Sequence, residues 1–237
     1  MNERFEIVEK ALVALLEEKK YATLRDILIT MNPADIAALL SGLQDPKIPI
    51  MFRLLPKELA AETFVEMDID SQELLIRSFS DNELKEVLDE LYVDDAAALV
   101  EEMPANVVKR ILKQADPEMR KSINQILQYP ENSAGSLMTT EYVSLRPNMT
   151  VEESILRIRR QGVDKETIYT CYVTKDRKLL GLVTVKDLLL AEDDEMPVKD
   201  IMLTNLISVT THTDQEEVAL MFGKYNFLAL PDRKSVV

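Results

Sequence analysis

Residues 137–190 read LMTTEYVSLRPNMTVEESILRIRRQGVDKETIYTCYVTKDRKLLGLVTVKDLLL. Tyr142 to Leu145 predicts a short strand. Thr150-Val151-Glu152-Glu153 has the spacing of a capping box and opens a helix that runs to about Gln161. Ile168 to Val173 is rich in β-branched residues and predicts a strand. Asp176-Arg177-Lys178 is a turn, Leu179 to Val183 a further strand with Gly181 inside it, and Thr184-Val185-Lys186-Asp187 opens a helix from Val185 to Ala191. The pattern then restarts. Leu137-Met138-Thr139 is answered by Ile201-Met202 just ahead of Thr204, and Val151-Glu152-Glu153-Ser154 by Gln215-Glu216-Glu217-Val218, both at an offset of 64 residues. An internal β-α-β-β-α duplication predicts two like units packed sheet to sheet.

Upstream, residues 1–129 have a different grammar. Leu and Ala recur at helical spacing, as in Ile7, Ala11, Ala14 and Leu15. Helix starts are marked by Asn32-Pro33, Asp45-Pro46, Pro56, Asp70-Ser71, Ser80-Asp81, Asp94-Asp95, Pro104 and Asp116-Pro117, about 10 to 14 residues apart. No such helix can bury its apolar stripe alone, whereas stacked neighbours can. The spacing predicts a solenoid-like superhelix of about nine or ten short helices. Tyr129-Pro130 ends the pattern, and residues 130–136 read as a linker.

The 237 residues carry a net charge of −14, with 15 Asp+Glu against 3 Lys+Arg between Pro56 and Glu102. Nucleic acid is a poor partner for such a chain, because phosphate binding needs Lys and Arg to release counterions. Direct adhesion to anionic lipid is disfavoured for the same reason. One Cys, Cys171, and one His, His212, exclude most Cys/His zinc sites and any disulfide framework. Cys171 sits in an apolar run and reads as a buried structural thiol. The Met residues at 31, 51, 67, 103, 119 and 221 read as core filler. MNERFEIVEK is charged and is no secretory signal, and no apolar run approaches the roughly 18 residues of a membrane span. With no G-x-S-x-G and no Gly-rich phosphate loop, the expectation is a non-enzyme.

L-M-T…T-V-E-E-S-I…Y-V-T-K-D-R-K-L-L-G-L-V-T-V-K-D-L-L is similar to a CBS motif, and I-M-L-T…T-D-Q-E-E-V-A…Y-N-F-L-A-L-P begins a second. The acidic short-helix region running into Y-P-E-N-S-A-G-S-L-M-T-T-E-Y-V, then D-K-E-T-I-Y, then H-T-D-Q-E-E-V-A, resembles the cytosolic region of MgtE magnesium transporters. The resemblance implies an α + α/β fold: an N-terminal superhelix of short α-helices (1–129), a linker (130–136), a first CBS domain (137–197) and an incomplete second one (198–237). It also implies a connecting helix and a transmembrane domain of the same protein, which this stretch does not include. Placement on the cytoplasmic side of a membrane and a homodimer through the CBS domains follow from it as well.

Mg²⁺ is a small, hard cation that takes oxygen ligands and keeps several of its waters, so scattered carboxylates suit it. By the resemblance, the metal-site residues are Glu62, Asp94 with Asp95 beside it, Glu216, and two positions that would offer backbone carbonyls, Ser136 and Gly223. Ala98 and Asn226 stand where the family pattern leads one to expect acids. For any single acid here the plain alternative is a solvated helix face. Asp95 and Glu216 also fit as first-turn carboxylates that favour the helix dipole. The expected mechanism is electrostatic: like-charged lobes separate without Mg²⁺ and close around bridging ions with it, and that closure would gate the pore. Thr184 and Asp187 supply a second signal. In CBS domains that take ATP or another adenine nucleotide, these letters meet phosphate and ribose, although many CBS units carry them and bind nothing. A nucleotide-sensing CBS protein with a helical adaptor is therefore the alternative function, and a solenoid scaffold for a partner is a third.

Overall fold

A computed structural model describes residues 2–43 and 45–232 of the chain. The chain divides into two compact units, Met1–Leu91 with Ala98–Arg120, and Tyr92–Ala97 with Lys121–Val237.

The chain up to Ile126, which supplies the whole first unit and the start of the second, is helical. Helices α1 (Asn2–Glu17), α2 (Tyr21–Leu28), α3 (Pro33–Ser41), α4 (Ile48–Phe52), α5 (Lys57–Val65), α6 (Ile69–Ser78), α7 (Asp81–Leu88), α8 (Val93–Glu102), α9 (Ala105–Gln114) and α10 (Pro117–Ile126) follow one another, with a 3-10 turn at Asp45–Lys47. Their starts are chemically explicit. Asn32 Oδ1 accepts from the Ala34 N–H ahead of Pro33 at the first helical position. Ser80 and Glu83 form a reciprocal capping box on α7. The expected mark at Asp70-Ser71 is displaced: Asp68 caps α6, its Oδ1 accepting from the Ser71 N–H at 2.9 Å. Both Asp residues fit the composition rule, and only the geometry distinguishes them.

These helices bury Leu24, Leu28, Ile36, Leu39, Met51, Phe64, Leu75, Leu84 and Leu88 almost completely. Phe52 lies between Phe64 and Phe79, with ring centroids 6.3 and 5.5 Å away. Arg53 ties α4 to α7: its Nε donates to Glu83 Oε1 at 2.6 Å and its guanidinium to the Ser78 carbonyl at 3.1 Å. That hydrogen bond is the main reason the Glu83 carboxyl is pulled down to about 2.

The second unit is built on strands β1 (Tyr142–Leu145), β2 (Thr167–Lys175) and β3 (Lys178–Thr184), in that spatial order, with β1–β2 parallel and β2–β3 antiparallel. Helix α11 (Val151–Gln161) makes the crossover, α12 (Val185–Leu189) and α13 (Val198–Ile201) follow β3, and α14 (Gln215–Tyr225) lies beyond. The core joins Val143, Leu145, Val151, Cys171, Val173, Val183, Leu188 and Val198. Burial pushes the Cys171 thiol up to about 11, so it stays protonated.

Strands β2 and β3 run longer than the β-branched core implies. Asp176 and Arg177 both adopt left-handed backbone (φ 51° and 63°), and this tight turn lets the ladder reach the Lys175–Lys178 pair. Helix α12 is shorter than expected. It ends at Leu189, and Leu190 and Ala191 lie outside it.

The duplication is visible in the helices. Thr150 caps α11 with Glu153 as its capping-box partner, and Asp214 caps α14. The two helices have equal length, and both of their ends are related by the offset of 64 residues seen in the sequence. Among the described residues the second repeat forms no sheet of its own; a single parallel bridge, Val209–Asp232, stands where a copy of β1 would pair. Residues 233–237, the end of the expected second CBS domain, lie outside the described residues. No helix among the described residues is long and apolar enough to cross a membrane.

Candidate metal centre

Residues Tyr92–Ala97, which carry the first turn of α8, belong to the second unit, and Asp94 and Asp95 with them. Asp94 is half-buried, and its Oδ1 is shielded from solvent without a hydrogen-bond partner. Burial pushes its carboxyl up to about 6, and the negative charges of Glu166 and Asp95 push in the same direction. Two carboxylates thus act on a third, one of whose oxygens lacks a partner. A cation is the ligand that such a donor set suits, because positive charge would offset both the desolvation and the repulsion.

Glu166 immediately precedes β2, in the D-K-E-T-I-Y segment. Glu141, which immediately precedes β1, lies at the same place: its Oε2 accepts the Val93 N–H at 2.9 Å. The sequence reading missed both as members of this cluster. The only signal for them was that T-T-E-Y-V and D-K-E-T-I-Y both lie in the segments that carry the resemblance.

Ser136, Glu216 and Gly223 lie elsewhere in the same unit. The stretch read as a linker is hydrogen-bonded to the segment before α14. The Ala134 N–H donates to the Thr213 carbonyl, the Gly135 N–H to that of Thr211, and the Gln215 N–H to that of Asn132, each at 2.8 Å. Ser136 thus stands on one side of a strap and Glu216 on the other. The Ser136 hydroxyl donates to the Ser133 carbonyl at 2.9 Å, which closes the turn that carries its backbone. Glu216 is exposed in the first turn of α14, where its N–H donates to Asp214 Oδ1. Gly223 is seven residues further along and so on the same helix face; it is open to solvent, with nothing within 4 Å of where a Cβ would be.

Two positions without the expected acid have their own local explanation. Asn226 is the C-cap of α14 in left-handed backbone (φ 52°, ψ 43°), a conformation Asn tolerates better than most residues. Ala98 is exposed one turn after Asp94.

Glu62 stands apart from this set. It lies in the first unit, on the exposed face of α5, beside a fully buried Thr63 whose hydroxyl lacks a partner. Among the described residues no three His, Cys, Asp or Glu side chains are grouped so as to hold a metal ion by themselves.

Thr184 and Asp187 serve each other. The Thr184 N–H and hydroxyl both donate to Asp187 Oδ2, at 3.0 and 2.6 Å, and the Asp187 N–H donates to Thr184 Oγ1 at 3.1 Å. The pair is the capping box of α12.

Residues 31–132 match the MgtE intracellular N domain, and residues 134–194 match the CBS domain. The chain is 37% identical over 231 residues to the magnesium transporter MgtE of Thermus thermophilus, a match that covers 94% of this chain and 51% of that protein. It is 27% identical over 221 residues to MgtE of Bacillus subtilis, covering 93% of this chain and 49% of that protein. The chain therefore spans about half the length of the curated relatives it matches. The crystal structure of the cytosolic domain of the Mg²⁺ channel MgtE in complex with ATP matches with a TM-score of 0.88 at 35% identity, covering 94% of this chain and 92% of that one. The soluble part of a magnesium transporter matches with a TM-score of 0.86 at 26% identity, covering 96% and 90%. Shared identity, coverage of nearly the whole cytosolic chain and a common fold together show that the chain belongs to the MgtE magnesium-transporter family and matches its cytosolic domain, from the helical N domain into the CBS pair.

Proposed function

We propose that this chain is a non-catalytic Mg²⁺-sensing module on the cytoplasmic side of a membrane magnesium transporter, and that ion binding to it gates the attached pore. The observation that carries this reading is the Asp94 carboxylate, with a shielded, unpartnered Oδ1 and the charges of Asp95 and Glu166 acting on it. Without a cation, that arrangement is electrostatically unfavourable at neutral pH. Mg²⁺ would supply the missing positive charge, with water completing its shell. Asp94 and Asp95 are the acids we assign to Mg²⁺ in the second unit; Glu62 is a further Mg²⁺ ligand that we assign within the first. Glu216 and the carbonyls of Ser136 and Gly223 form a second group of ligand positions, supported by the strap that holds Ser136 and Glu216 and by the shared face of Glu216 and Gly223. The regions we assign to this function are the helical domain (1–129), the linker (130–136), the first CBS domain (137–197) and the start of the second (198–237).

The gating step follows from linkage. If Mg²⁺ binds a closed arrangement of acidic lobes better than an open one, it shifts the population toward closure by that difference in affinity and no more. A homodimer through the CBS domains is part of the proposal. Helix α14 buries none of its residues, and Leu220 is 73% exposed, so an apolar face is available to a second copy.

Small-angle scattering and limited proteolysis with and without millimolar Mg²⁺ test the reading. A smaller radius and new protection are expected with Mg²⁺, and both should be lost when Glu62, Asp94 and Glu216 are neutralised together. An unchanged radius and cleavage pattern in the wild type would overturn it.

One observation favours a second reading: the similar MgtE cytosolic domain described above was crystallised with ATP. In this chain Thr184 and Asp187 would be the nucleotide contacts. Calorimetric titration with ATP, ADP and AMP decides, and absence of heat at high ligand concentration rejects it.

A further inference from the structure

Where side chains cap helices in this protein, the cap usually comes from the helix's own N-cap residue, as with Asn32, Asp68, Ser80, Thr150, Thr184 and Asp214. Helix α8 differs. Tyr92, which precedes it, offers no short side-chain acceptor, and the Val93 N–H is instead taken by a carboxylate 48 residues further along the chain.

We propose that Glu141 is a positioning residue for Asp94: by accepting the Val93 N–H it fixes the first turn of α8 at the entry of β1, and so sets where the Asp94 carboxylate lies. This inference rests on the reading of Asp94 as a cation ligand.

Tyr142 pairs with Thr167 at the start of the parallel ladder, ahead of an irregularity after which Val143 pairs with Cys171. Glu141 is the residue just before that first pair on β1. Glu141 is held in its own right, its N–H donating to Thr139 Oγ1 at 3.1 Å. Glu141 grips the backbone of α8 one residue ahead of Asp94. A carboxylate is well suited to the grip, since the exposed N–H groups of a helix start carry partial positive charge.

Two measurements on the full chain test the proposal. The first is amide hydrogen exchange without any divalent ion. Glu141→Ala should speed exchange at Val93 by roughly five- to tenfold, as expected for loss of one capping hydrogen bond. Glu141→Gln keeps an acceptor oxygen and should stay near wild type, and Asp94→Asn should leave Val93 protected. The second is calorimetric titration with Mg²⁺. Glu141→Ala should weaken binding by about tenfold, the usual scale for an outer-shell partner. Glu141→Gln should restore most of that loss, and Asp94→Asn should weaken binding at least as much as Glu141→Ala. Unchanged Val93 exchange in Glu141→Ala overturns the proposal. So does Glu141→Gln binding Mg²⁺ as poorly as Glu141→Ala while its Val93 stays protected, because charge rather than position would then be at work. If the wild type takes up no Mg²⁺, the ligand reading of Asp94 fails, and the exchange measurement still decides whether Glu141 holds α8.

Discussion

Gly135 stands against the ring of Tyr129 so closely that a Cβ built on it would lie 2.5 Å from the Tyr129 Cγ and 2.8 Å from the Thr211 carbonyl oxygen. The backbone has little freedom to retreat, since the Gly135 N–H is bonded to that same carbonyl at 2.8 Å. The Tyr129 ring is backed in turn by His212, edge-on at 6.2 Å. Gly135→Ala should therefore destabilise the second unit by about 1–3 kcal/mol, the usual cost of forcing an atom into packed space. Urea denaturation followed by near-ultraviolet circular dichroism measures this. A midpoint equal to wild type would mean that the strap yields without cost.

Asp94 gives stability a definite pH dependence. Its folded pKa, about 6, lies above the ordinary aspartate value of 3.8. The folded state thus holds a proton that the unfolded chain has already released, and stability falls as pH rises from about 4 to about 6. After allowance for solvent screening of a partly exposed group, the loss is on the order of 1–2 kcal/mol. Asp94→Asn should remove this dependence, leaving the variant more stable than wild type at pH 7 and close to it at pH 4. Mg²⁺ should recover the loss in the wild type only. Parallel denaturation curves at the two pH values decide, and equal differences at both would show that the carboxyl titrates normally.

The parts of this fold written in local chemistry were legible in the sequence. Thr150 with Glu153 announced α11, and the 64-residue offset announced α14. Where two residues satisfied the same local rule, as Asp68 and Asp70 did for α6, only geometry could choose between them. The cluster around Asp94 was half legible. The family resemblance singled out Asp94 and Asp95, but Glu141 reaches the start of α8 by a hydrogen bond across 48 residues and Glu166 acts on Asp94 by its charge, and such long-range contacts leave no periodic trace in a single sequence. The strands of the second repeat illustrate the converse. The helix carries its own cap and pattern, whereas a strand needs a neighbour, and among the described residues the second repeat shows isolated bridges, such as Val209–Asp232, rather than strands.

Gly223 separates a backbone role from a side-chain role. It lies inside α14 with open space around it, so an added methyl group meets nothing. Gly223→Ala should stabilise the helix by about 0.5–1 kcal/mol, through lower conformational entropy of the unfolded chain. If this position offers only its carbonyl to an ion, the Mg²⁺ response should be unchanged. Thermal unfolding and the scattering titration together read both effects. A weaker response in a more stable protein would show that the site needs the bare backbone.

Asp187 has two candidate tasks that one variant can separate. Its Oδ2 takes both the N–H and the hydroxyl of Thr184, so the acid is already engaged in starting α12. Asp187→Ala should therefore cost about 1 kcal/mol with no nucleotide present, the typical worth of a helix cap. Asp187→Asn retains one acceptor oxygen and should cost less. If the residue also contacts a ribose, both variants should lose ATP affinity to a similar extent, because an amide cannot replace a carboxylate that accepts from two hydroxyls. If it serves only the helix, any loss of affinity should follow the loss of stability, with Asn close to wild type. Denaturation and ATP titration on the same two proteins distinguish these cases: equal affinity losses with unequal stability losses assign Asp187 to the nucleotide, and losses that rise together assign it to the fold.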